Sequence, residues 1–265
     1  MTRVAVIGHV EWVDFLQLQA FPRQGQIVQA DNAFLRAGGG GAVAAVVLAE
    51  LGAEVDFYTA LGDDANGRAA VAQLEDRGVF VHVAWRDRAT RRATTLLEGN
   101  ERTIITLGER LEPRGDDELG WERLDHVACV YFTAGDAGAL RHARRVNIVV
   151  ASPRARTVLE SAGVRIDALV FSGSDHDEST WARRIAAHTR LLVATEGAHG
   201  GRWWGESEGR WSAVPLPGEP HDSYGCGDSF AAAFTLGLGR GDSIADAAVL
   251  GAEAGALALT RIGVP

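Results

Sequence analysis

The feature that most constrains the fold is a regular alternation of strand-like and helix-like segments in residues 127–195. Short apolar runs bounded by turn residues predict strands, and longer mixed runs predict helices. The predicted strands are residues 127–132, 146–150, 167–171 and 191–195, and the predicted helices are residues 137–145, 153–161 and 177–188. Strands that alternate with helices form a parallel sheet covered on both faces. We therefore expect an α/β protein with a central, mostly parallel sheet.

The N-terminal half continues this pattern but interrupts it twice. Strands are predicted at residues 4–8, 55–61 and 80–85, and helices at residues 42–51 and 66–78. Two excursions, about residues 10–36 and 85–107, do not fit the sheet. The second excursion contains a predicted hairpin of residues 92–98 and 102–107 around Gly99 and Asn100. We expect the excursions to pair as a small β-lid on a single domain of residues 1–265.

Composition limits the partners of the chain. Apolar residues make up 46% and charged residues 23%, as in an ordinary globular protein, and the net charge is −9. An acidic chain has no field that attracts nucleic acid, so nucleic-acid binding is not expected. The longest apolar run, residues 42–49, is too short to cross a bilayer, and no signal peptide is recognised. We expect no membrane partner and a cytoplasmic location.

All 26 basic residues are arginine, because the sequence contains no lysine. This excludes a phosphate-binding loop that ends in Gly-Lys-Ser/Thr, a Schiff-base lysine and the strand lysine of protein kinases. Any phosphate would have to be bound by backbone amides, by arginine or by a metal ion. The two cysteines, Cys129 and Cys226, have no metal-ligand spacing and are expected to be free thiols.

The glycine-rich stretch at residues 221–230 predicts an anion site. It leads directly into the apolar helix of residues 231–238, and the first amides of a helix lack intrahelical partners and carry partial positive charge. Gly225 and Gly227 remove side chains that would keep a phosphate from these amides. Asp228 has two readings: it caps the helix, or it takes a proton from a hydroxyl that attacks the bound anion.

Together, four motifs resemble the ribokinase-like (PfkB family) carbohydrate kinases over nearly the whole chain. Residues 222–230, Asp-Ser-Tyr-Gly-Cys-Gly-Asp-Ser-Phe, are similar to the C-terminal signature of the family. The glycine run from Gly38, with Leu51-Gly52-Ala53 and Gly62-Asp63-Asp64, is similar to the N-terminal signature. Residues 195–200 resemble the Thr-x-Gly-x-x-Gly loop, and residues 255–260 the closing helix. The resemblance implies a ribokinase-like three-layer α/β/α sandwich with a β-lid.

The resemblance also implies roles for individual residues. Asp228 would be the catalytic base, and the amides of Gly225, Cys226 and Gly227 would form the anion hole. Cys226 would then have a lowered thiol pKa and react faster than Cys129 with alkylating reagents. The residues implied to contact the sugar or its phosphates are Asp14, Gly38, Gly39, Gly40, Gly41 and Arg102, although Arg102 could equally be a solvated strand residue. Those implied to flank the nucleotide are Thr195, Glu196, Gly197, Gly200, Ala252 and Ala256.

The sequence departs from the family pattern at three places. Val43 stands where relatives usually have a substrate-binding Asn, and the spacing from Gly8 to Asp14 is one residue longer than usual. The Asn-x-x-Glu element for magnesium is replaced by a stretch in which Asp175 and Glu178, one helical turn apart, could order magnesium waters or simply begin a helix. Asp222 would either help to hold a monovalent cation such as K⁺ or only fix the loop.

The function expected from this resemblance is a kinase that uses ATP and Mg²⁺ to phosphorylate a hydroxymethyl group on a sugar or sugar derivative. A nucleoside kinase of the same fold is an alternative, and a non-catalytic nucleotide-binding module is another. A dinucleotide-binding protein is disfavoured, because Gly8 does not begin a Gly-x-Gly-x-x-Gly run. A homodimer formed through the lid is a further arrangement open to the chain.

Overall fold

The computed structural model describes residues 1–99 and 101–263, and it contains the following elements in chain order. The strands are β1 (Arg3–Ile7), β2 (Glu11–Gln17), β3 (Asn32–Gly38), β4 (Glu54–Gly62), β5 (Val79–Arg86), β6 (Arg92–Glu98), β7 (Glu101–Leu107), β8 (Cys129–Phe132), β9 (Ile148–Ala151), β10 (Ile166–Ser172), β11 (Thr189–Thr195), β12 (Gly201–Gly205) and β13 (Gly209–Trp211). The helices are α1 (Gly40–Glu50), α2 (Ala65–Asp76), α3 (Ala137–Ala143), α4 (Arg156–Ser161), α5 (His176–Arg184), α6 (Cys226–Arg240) and α7 (Ile244–Leu259).

The larger sheet has the strand order β13-β12-β11-β10-β9-β8-β1-β4-β5. All neighbours from β11 to β5 pair in parallel, and only β12 and β13 are antiparallel. The predicted central, mostly parallel sheet is confirmed. The antiparallel ribbon of β12 and β13 was not among the predicted strands. Its inner residues, Trp203 and Trp211, stack on each other with ring centroids 6.2 Å apart.

Helices cover both faces of this sheet, so the architecture has three layers. Consecutive residues of β1 alternate between two buried clusters: Val4 and Val6 pack on one side, and Ala5 and Ile7 on the other. This is the two-residue period of a strand that is buried on both faces. One cluster includes residues of α1, α6 and α7, and the other includes residues of α3, α4 and α5. The three-layer α/β/α arrangement is confirmed.

The smaller sheet is built from the two excursions and has the order β3-β2-β6-β7. Strand β2 pairs antiparallel with β3 and parallel with β6, and β6 pairs antiparallel with β7. The predicted β-lid is therefore confirmed. Gly99 ends the described part of its hairpin turn, and Asn100 lies outside the described residues.

Two details bear on the site. The segment predicted as one helix at residues 153–161 begins as a 3-10 turn at Pro153–Ala155 and becomes α4 only at Arg156. This turn places Arg154 directly after the carboxyl end of β9. In the residues that the structure describes, no helix has the length and apolar character needed to cross a membrane.

Candidate active site

The candidate site lies where the carboxyl ends of β1, β8 and β9 meet the N-termini of α1 and α6. Crevices at this edge are the usual ligand sites of parallel α/β sheets. Helix α6 begins at Cys226, directly after Gly225, whose φ of 74° is in the left-handed region that glycine adopts without strain. Asp228 stands in the first turn of α6 with only 6% of its surface exposed.

The first turn of α6 has amides available for an anion. Within residues 1–99 and 101–263, the N–H groups of Gly225, Gly227 and Asp228 donate no hydrogen bond to a loop carbonyl or side chain, and that of Cys226 makes only a long one, 3.5 Å to Ser223. A Cβ added to Gly227 would meet no atom within 4 Å, so the space above this amide is open. The residues present therefore fit a phosphate group at this helix N-terminus.

Asp228 is held by two side chains from neighbouring strand ends. The hydroxyl of Tyr131, on β8, donates to Oδ1 at 3.2 Å. The guanidinium of Arg154 donates from Nε to Oδ1 at 3.2 Å and from Nη2 to Oδ2 at 3.0 Å. The charge of Asp228 raises the pKa of Arg154 still further above its usual range, so the arginine stays protonated. Both carboxylate oxygens are thus engaged.

Sequence reasoning did not single out Arg154. Its side chain is 49% exposed, whereas that of Asp228 is 7% exposed, so the guanidinium is accessible while it holds the carboxylate. The two residues are 74 positions apart in the chain. The sequence does contain a signal for it, because Arg154 follows β9 at the carboxyl edge of the sheet, where ligands of parallel sheets bind.

A second group of charges lies beside the glycine turn that precedes α1. Glu11, at the start of β2, pairs with Arg91 at 2.9 Å and lies 3.7 Å from Nε2 of His9. Burial lowers the pKa of His9 well below its usual value, and the charges of Arg154, Arg110 and Arg91 lower it further. Burial raises the pKa of Glu11, and the same arginines oppose that rise. The neutral His9 therefore sits among three guanidinium groups.

The structure does not bring Asp14 together with Asp228. Alternate residues of β2 face opposite sides of the lid, and Val13 and Phe15 are the ones that pack toward Gly38 and Tyr224. Asp14 lies on the other face, in register with Leu35, a residue that is 50% exposed. Glu11 shares its face with Val13 and is the carboxylate of this strand that lies at the site.

The glycine turn at residues 38–41 packs tightly against the site. A Cβ on Gly40 would lie 2.7 Å from Oδ1 of Asp228 and 3.0 Å from Nε of Arg154. A Cβ on Gly38 would lie 2.6 Å from the hydroxyl of Tyr224, and Gly39 has a φ of 87°. The protein's own side chains therefore approach this turn closely. Gly41 packs in the same way against His9 and Phe57.

Val43, at the position where relatives usually have an Asn, is buried, with 1% of its surface exposed. Its Cγ1 atom would lie 2.9 Å from a Cβ on Gly225, so it packs against the loop before α6. It offers no hydrogen bond to a ligand.

Asp222 anchors the same loop. Oδ1 accepts from the N–H of Tyr224 at 2.6 Å, and Oδ2 accepts from the N–H of Gly263 at 2.7 Å. Burial raises the pKa of Asp222, although both amide hydrogen bonds oppose the rise. Of its two predicted roles, loop fixation has direct contacts in the structure, and the K⁺ role stays a prediction.

The structure contradicts the lowered thiol pKa expected for Cys226, whereas its faster alkylation relative to Cys129 stays a prediction. Burial raises the pKa of Cys226 to about 11, and the nearby charge of Asp222 acts in the same direction. The positive field of the helix N-terminus, which was expected to lower this pKa, is therefore outweighed. Burial also raises the pKa of Cys129, to about 12. Both cysteines are free thiols, as predicted.

The lid contacts the loop before α6 through Arg102. Its guanidinium donates to the hydroxyl of Ser223, two residues before Gly225. Arg102 is thus placed to bring charge close to a bound phosphate, although it is exposed.

The residues predicted to flank a nucleotide lie on two elements. Thr195 ends β11, and its hydroxyl donates to the carbonyl of Phe171 at 3.3 Å. Glu196 forms an ion pair with Arg202 at 3.1 Å. Gly197 has a φ of 56° and Gly200 a φ of 79°, both in the left-handed region. Gly200 could not carry a Cβ, because the carbonyl oxygen of Trp211 would lie 2.2 Å away. Ala252 and Ala256 are half-buried on α7.

Of the candidate magnesium carboxylates, Asp175 caps the start of α5, and Glu178, in the first turn of that helix, binds the end of β10. Oδ1 of Asp175 accepts from the N–H of Glu178 at 3.0 Å, and Oε2 of Glu178 accepts from the N–H of Ser172 at 2.9 Å. Among residues 1–99 and 101–263, no group of three or more His, Cys, Asp or Glu side chains could hold a metal ion. One oxygen of each carboxylate stays free of these capping bonds.

Comparison with known proteins places this geometry in context. Residues 1–148 and 165–264 match the pfkB family carbohydrate kinases. The chain is 26% identical to the ribokinase of Bacillus subtilis (strain 168) over 282 residues, 99% of this chain and 94% of that protein. It is 28% identical to the ATP-dependent ribose-1-phosphate kinase of Halopiger xanaduensis over 265 residues, 88% and 84% of the two chains. The solved structure of Arabidopsis thaliana ribokinase complexed with ribose and ATP has the same fold, with a TM-score of 0.78 at 19% identity over 100% of this chain and 95% of that one.

Proposed function

Because this chain belongs to the pfkB family of carbohydrate kinases, we propose that it transfers the γ-phosphoryl group of ATP to a hydroxymethyl group of a sugar or sugar derivative, with Asp228 as the base. The family predicted from the sequence motifs is confirmed, and with it a phosphotransferase that uses an alcohol group as acceptor. The observation that carries the finer proposal is the position of Asp228, a buried carboxylate in the first turn of a helix whose leading amides are open.

The chemistry follows from that position. Asp228 accepts the proton of the acceptor hydroxyl as the hydroxyl oxygen bonds to the γ-phosphorus. The bond between this phosphorus and the bridging oxygen of ATP breaks, and ADP leaves with both electrons. Meanwhile the amides of Gly225, Cys226 and Gly227 donate to oxygens of the transferring group, where negative charge must be stabilised. The chain has no lysine to bind the phosphate, so the helix dipole and the backbone amides supply the positive charge instead.

The donor set is compatible with a magnesium ion. Mg²⁺ keeps several waters and takes only one or two carboxylates besides the phosphates, so a cage of three protein ligands is not needed. Asp175 and Glu178, each with one oxygen free of capping bonds, are the residues that would hold its waters. When bound, the ion supplies positive charge that offsets the charge of the phosphates.

Lid contacts support a second element of the proposal. Arg102 reaches from β7 to Ser223, so the lid closes toward the loop that leads into the anion site. Closure of this kind keeps water from competing with the acceptor hydroxyl. Exposed apolar residues on the lid, Leu35, Ile105 and Leu107, are also the surface through which we propose that a homodimer forms.

The proposal is tested by a coupled assay of ADP release with ATP and Mg²⁺. The acceptors are pentoses, hexoses, sugar acids, sugar phosphates and nucleosides, and Asp228→Asn is the control. We expect ADP release with at least one sugar-derived acceptor and its loss in Asp228→Asn. Turnover confined to nucleosides would support the nucleoside-kinase alternative. Failure with every acceptor, while ATP still raises the melting temperature, would support the non-catalytic alternative and contradict the proposal.

A further inference from the structure

Arg154 holds Asp228 in an ion pair, and this pairing opposes the proposed role of Asp228 as a base. The conflict is removed if the guanidinium of Arg154 binds another anion during the reaction. Oδ1 of Asp228 already accepts from Tyr131 and from Nε of Arg154, and Oδ2 accepts from Nη2 of Arg154. These bonds fill three of the four lone-pair positions of the carboxylate, so a hydroxyl finds only the second position of Oδ2, and the proton that it gives up would lie beside the guanidinium. Proton transfer is favoured if Arg154 moves off this carboxylate, and a cation separated from its partner needs a new anion.

The surroundings of Arg154 are rich in positive charge although the protein is acidic. Arg91, Arg110 and Arg154 all lower the pKa of the buried His9, so all three charges lie close to this side chain. Nη2 of Arg110 donates to the backbone carbonyl of Arg154 at 3.1 Å. Arg91 keeps Glu11 as its partner, and Arg110 keeps Glu112. Arg154 alone in this group is paired with a residue that the reaction requires.

One polar atom of this group that lacks a hydrogen-bond partner belongs to His9. Nδ1 of His9 is buried, and within the described residues it has no hydrogen-bond partner. His9 packs against Gly39, at the turn that also contacts Asp228 and Arg154. A buried, neutral imidazole with a free nitrogen can orient a polar ligand without adding charge.

We propose that the acceptor carries a negatively charged group, a carboxylate or a phosphate, and that Arg154 binds this group. This inference rests on the proposed kinase function and names the substrate class of the same site. The anion of the acceptor takes the guanidinium from Asp228, and Oδ2 becomes free to accept the hydroxyl proton. The hydroxyl oxygen then bonds to the γ-phosphorus as ADP leaves. A neutral sugar lacks the group that releases the base. Guanidinium groups bind both anions through two parallel hydrogen bonds.

A different assignment of Arg154 makes a different prediction. If Arg154 bound the transferring phosphoryl group instead, its loss would lower turnover with every acceptor to the same extent. If it bound the acceptor, its loss would be selective for anionic acceptors. The two assignments are separated by the ratio of kcat/KM for anionic and neutral acceptors, and not by activity as such.

The experiment uses matched acceptors that differ in one group. Each set contains an aldose, the corresponding aldonate and the corresponding aldose 1-phosphate, for example those of ribose and of glucose, so that the terminal hydroxymethyl group is unchanged. The wild-type protein should use one anionic member with a kcat/KM about 10- to 100-fold above that of the neutral sugar, the range of a hydrogen bond between charged groups. The aldonate arm and the phosphate arm identify which anion is the natural one.

Two variants complete the test. Arg154→Met keeps the length of the side chain and removes its charge, and it should bring the ratio of anionic to neutral kcat/KM close to one. Arg154→Lys should restore part of that ratio. Arg145→Met is the matched control, because Arg145 forms an exposed pair with Asp125 away from the site, and it should leave the ratio unchanged. The comparison of acceptors with the wild-type protein stands even if Arg154→Met does not fold.

The outcomes separate this inference from the proposed function. If the wild-type protein phosphorylates a neutral sugar with a kcat/KM equal to that of its anionic counterparts, the inference is overturned and the kinase function stands. If Arg154→Met lowers kcat/KM equally for all acceptors, Arg154 serves the phosphoryl group and the inference is again overturned. If no acceptor of any class is phosphorylated, the proposed function fails and the inference fails with it.

Discussion

The hydroxyl of Tyr224 accepts a hydrogen bond from the backbone N–H of Gly39 at 3.0 Å, and this contact joins the loop before α6 to the turn before α1. Both groups are buried, and the ring of Tyr224 packs edge-on against Phe15 of the lid. Three parts of the candidate site therefore meet at one side chain. Its hydroxyl is the only polar atom of that side chain, so a single substitution tests the junction.

Tyr224→Phe should lower the free energy of unfolding by about 1–3 kcal/mol, because the N–H of Gly39 is left buried without a partner. Urea denaturation measures the change. Tyr58→Phe is the matched control: the hydroxyl of Tyr58 is also buried but has no partner within the described residues, so its removal should cost nothing or stabilise the fold. Equal losses in the two variants would show that the contact with Gly39 is not what the hydroxyl contributes.

Gly227→Ala should separate stability from activity. The added methyl group meets no protein atom within 4 Å, and alanine is favoured over glycine in a helix, so the free energy of unfolding should stay the same or rise by up to about 1 kcal/mol. If a phosphate occupies the space above this amide, kcat/KM should nevertheless fall by about tenfold or more.

The control for Gly227→Ala is Gly218→Ala. Gly218 also has room for a methyl group, with the nearest atom, Cβ of Thr260, 3.8 Å away, and it lies outside the proposed anion site. It should keep both stability and turnover. Full activity in Gly227→Ala would remove the phosphate from this position.

Alkylation of Cys226 should accelerate steadily with pH. Burial raises its pKa to about 11, so the reactive thiolate fraction should increase about tenfold for each pH unit between about 8 and 10. Peptide mapping after timed labelling gives the rates of Cys226 and Cys129 separately, and ATP should protect Cys226. A rate that levels off below pH 8 would mean that the helix N-terminus, and not burial, controls this thiol.

The buried Asp56 should make stability depend on acid pH. Burial alone raises the pKa of Asp56, but hydrogen bonds from His82 at 2.7 Å and from Arg3 at 2.8 Å, together with their charges, outweigh it and lower the pKa below its usual value. A carboxyl group with a lowered folded-state pKa stabilises the fold above pH about 4, and this contribution is lost as the pH falls through the folded-state pKa.

Asp56→Asn should therefore cost about 2 kcal/mol of unfolding free energy at pH 7, on the scale of hydrogen bonds to a charged group. The difference from the wild-type protein should shrink as the pH is lowered from about 6 to about 3. Urea denaturation at several pH values measures it. A difference that is constant over this range would assign the effect of the substitution to packing.

Sequence periodicity was sufficient for the parallel sheet and the lid, because both depend on patterns that repeat over many residues. It also located the start of α6, where glycine and aspartate must occur at fixed positions. The ribbon of β12 and β13 was missed. Its inward positions are tryptophans separated by glycines. A sequence of this kind predicts a loop unless the stacking of Trp203 on Trp211 is known.

The residues that sequence reasoning misplaced or missed depend on the tertiary structure in three different ways. Whether Asp14 or Glu11 faces the site depends on which residue of β2 is in register with β3, and one residue of slip exchanges the two faces. The pKa of Cys226 depends on how deeply the helix start is buried, which a local motif does not contain. Arg154 reaches Asp228 across 74 residues, so only the folded chain brings them together.

The most direct test of the central claim is the single-turnover rate of Asp228→Asn with its best acceptor, measured together with its affinity for ATP. The account predicts a rate at least about 100-fold below that of the wild-type protein, the usual effect of removing a general base, with ATP affinity largely unchanged. A rate close to that of the wild-type protein would contradict the assignment of Asp228 as the base.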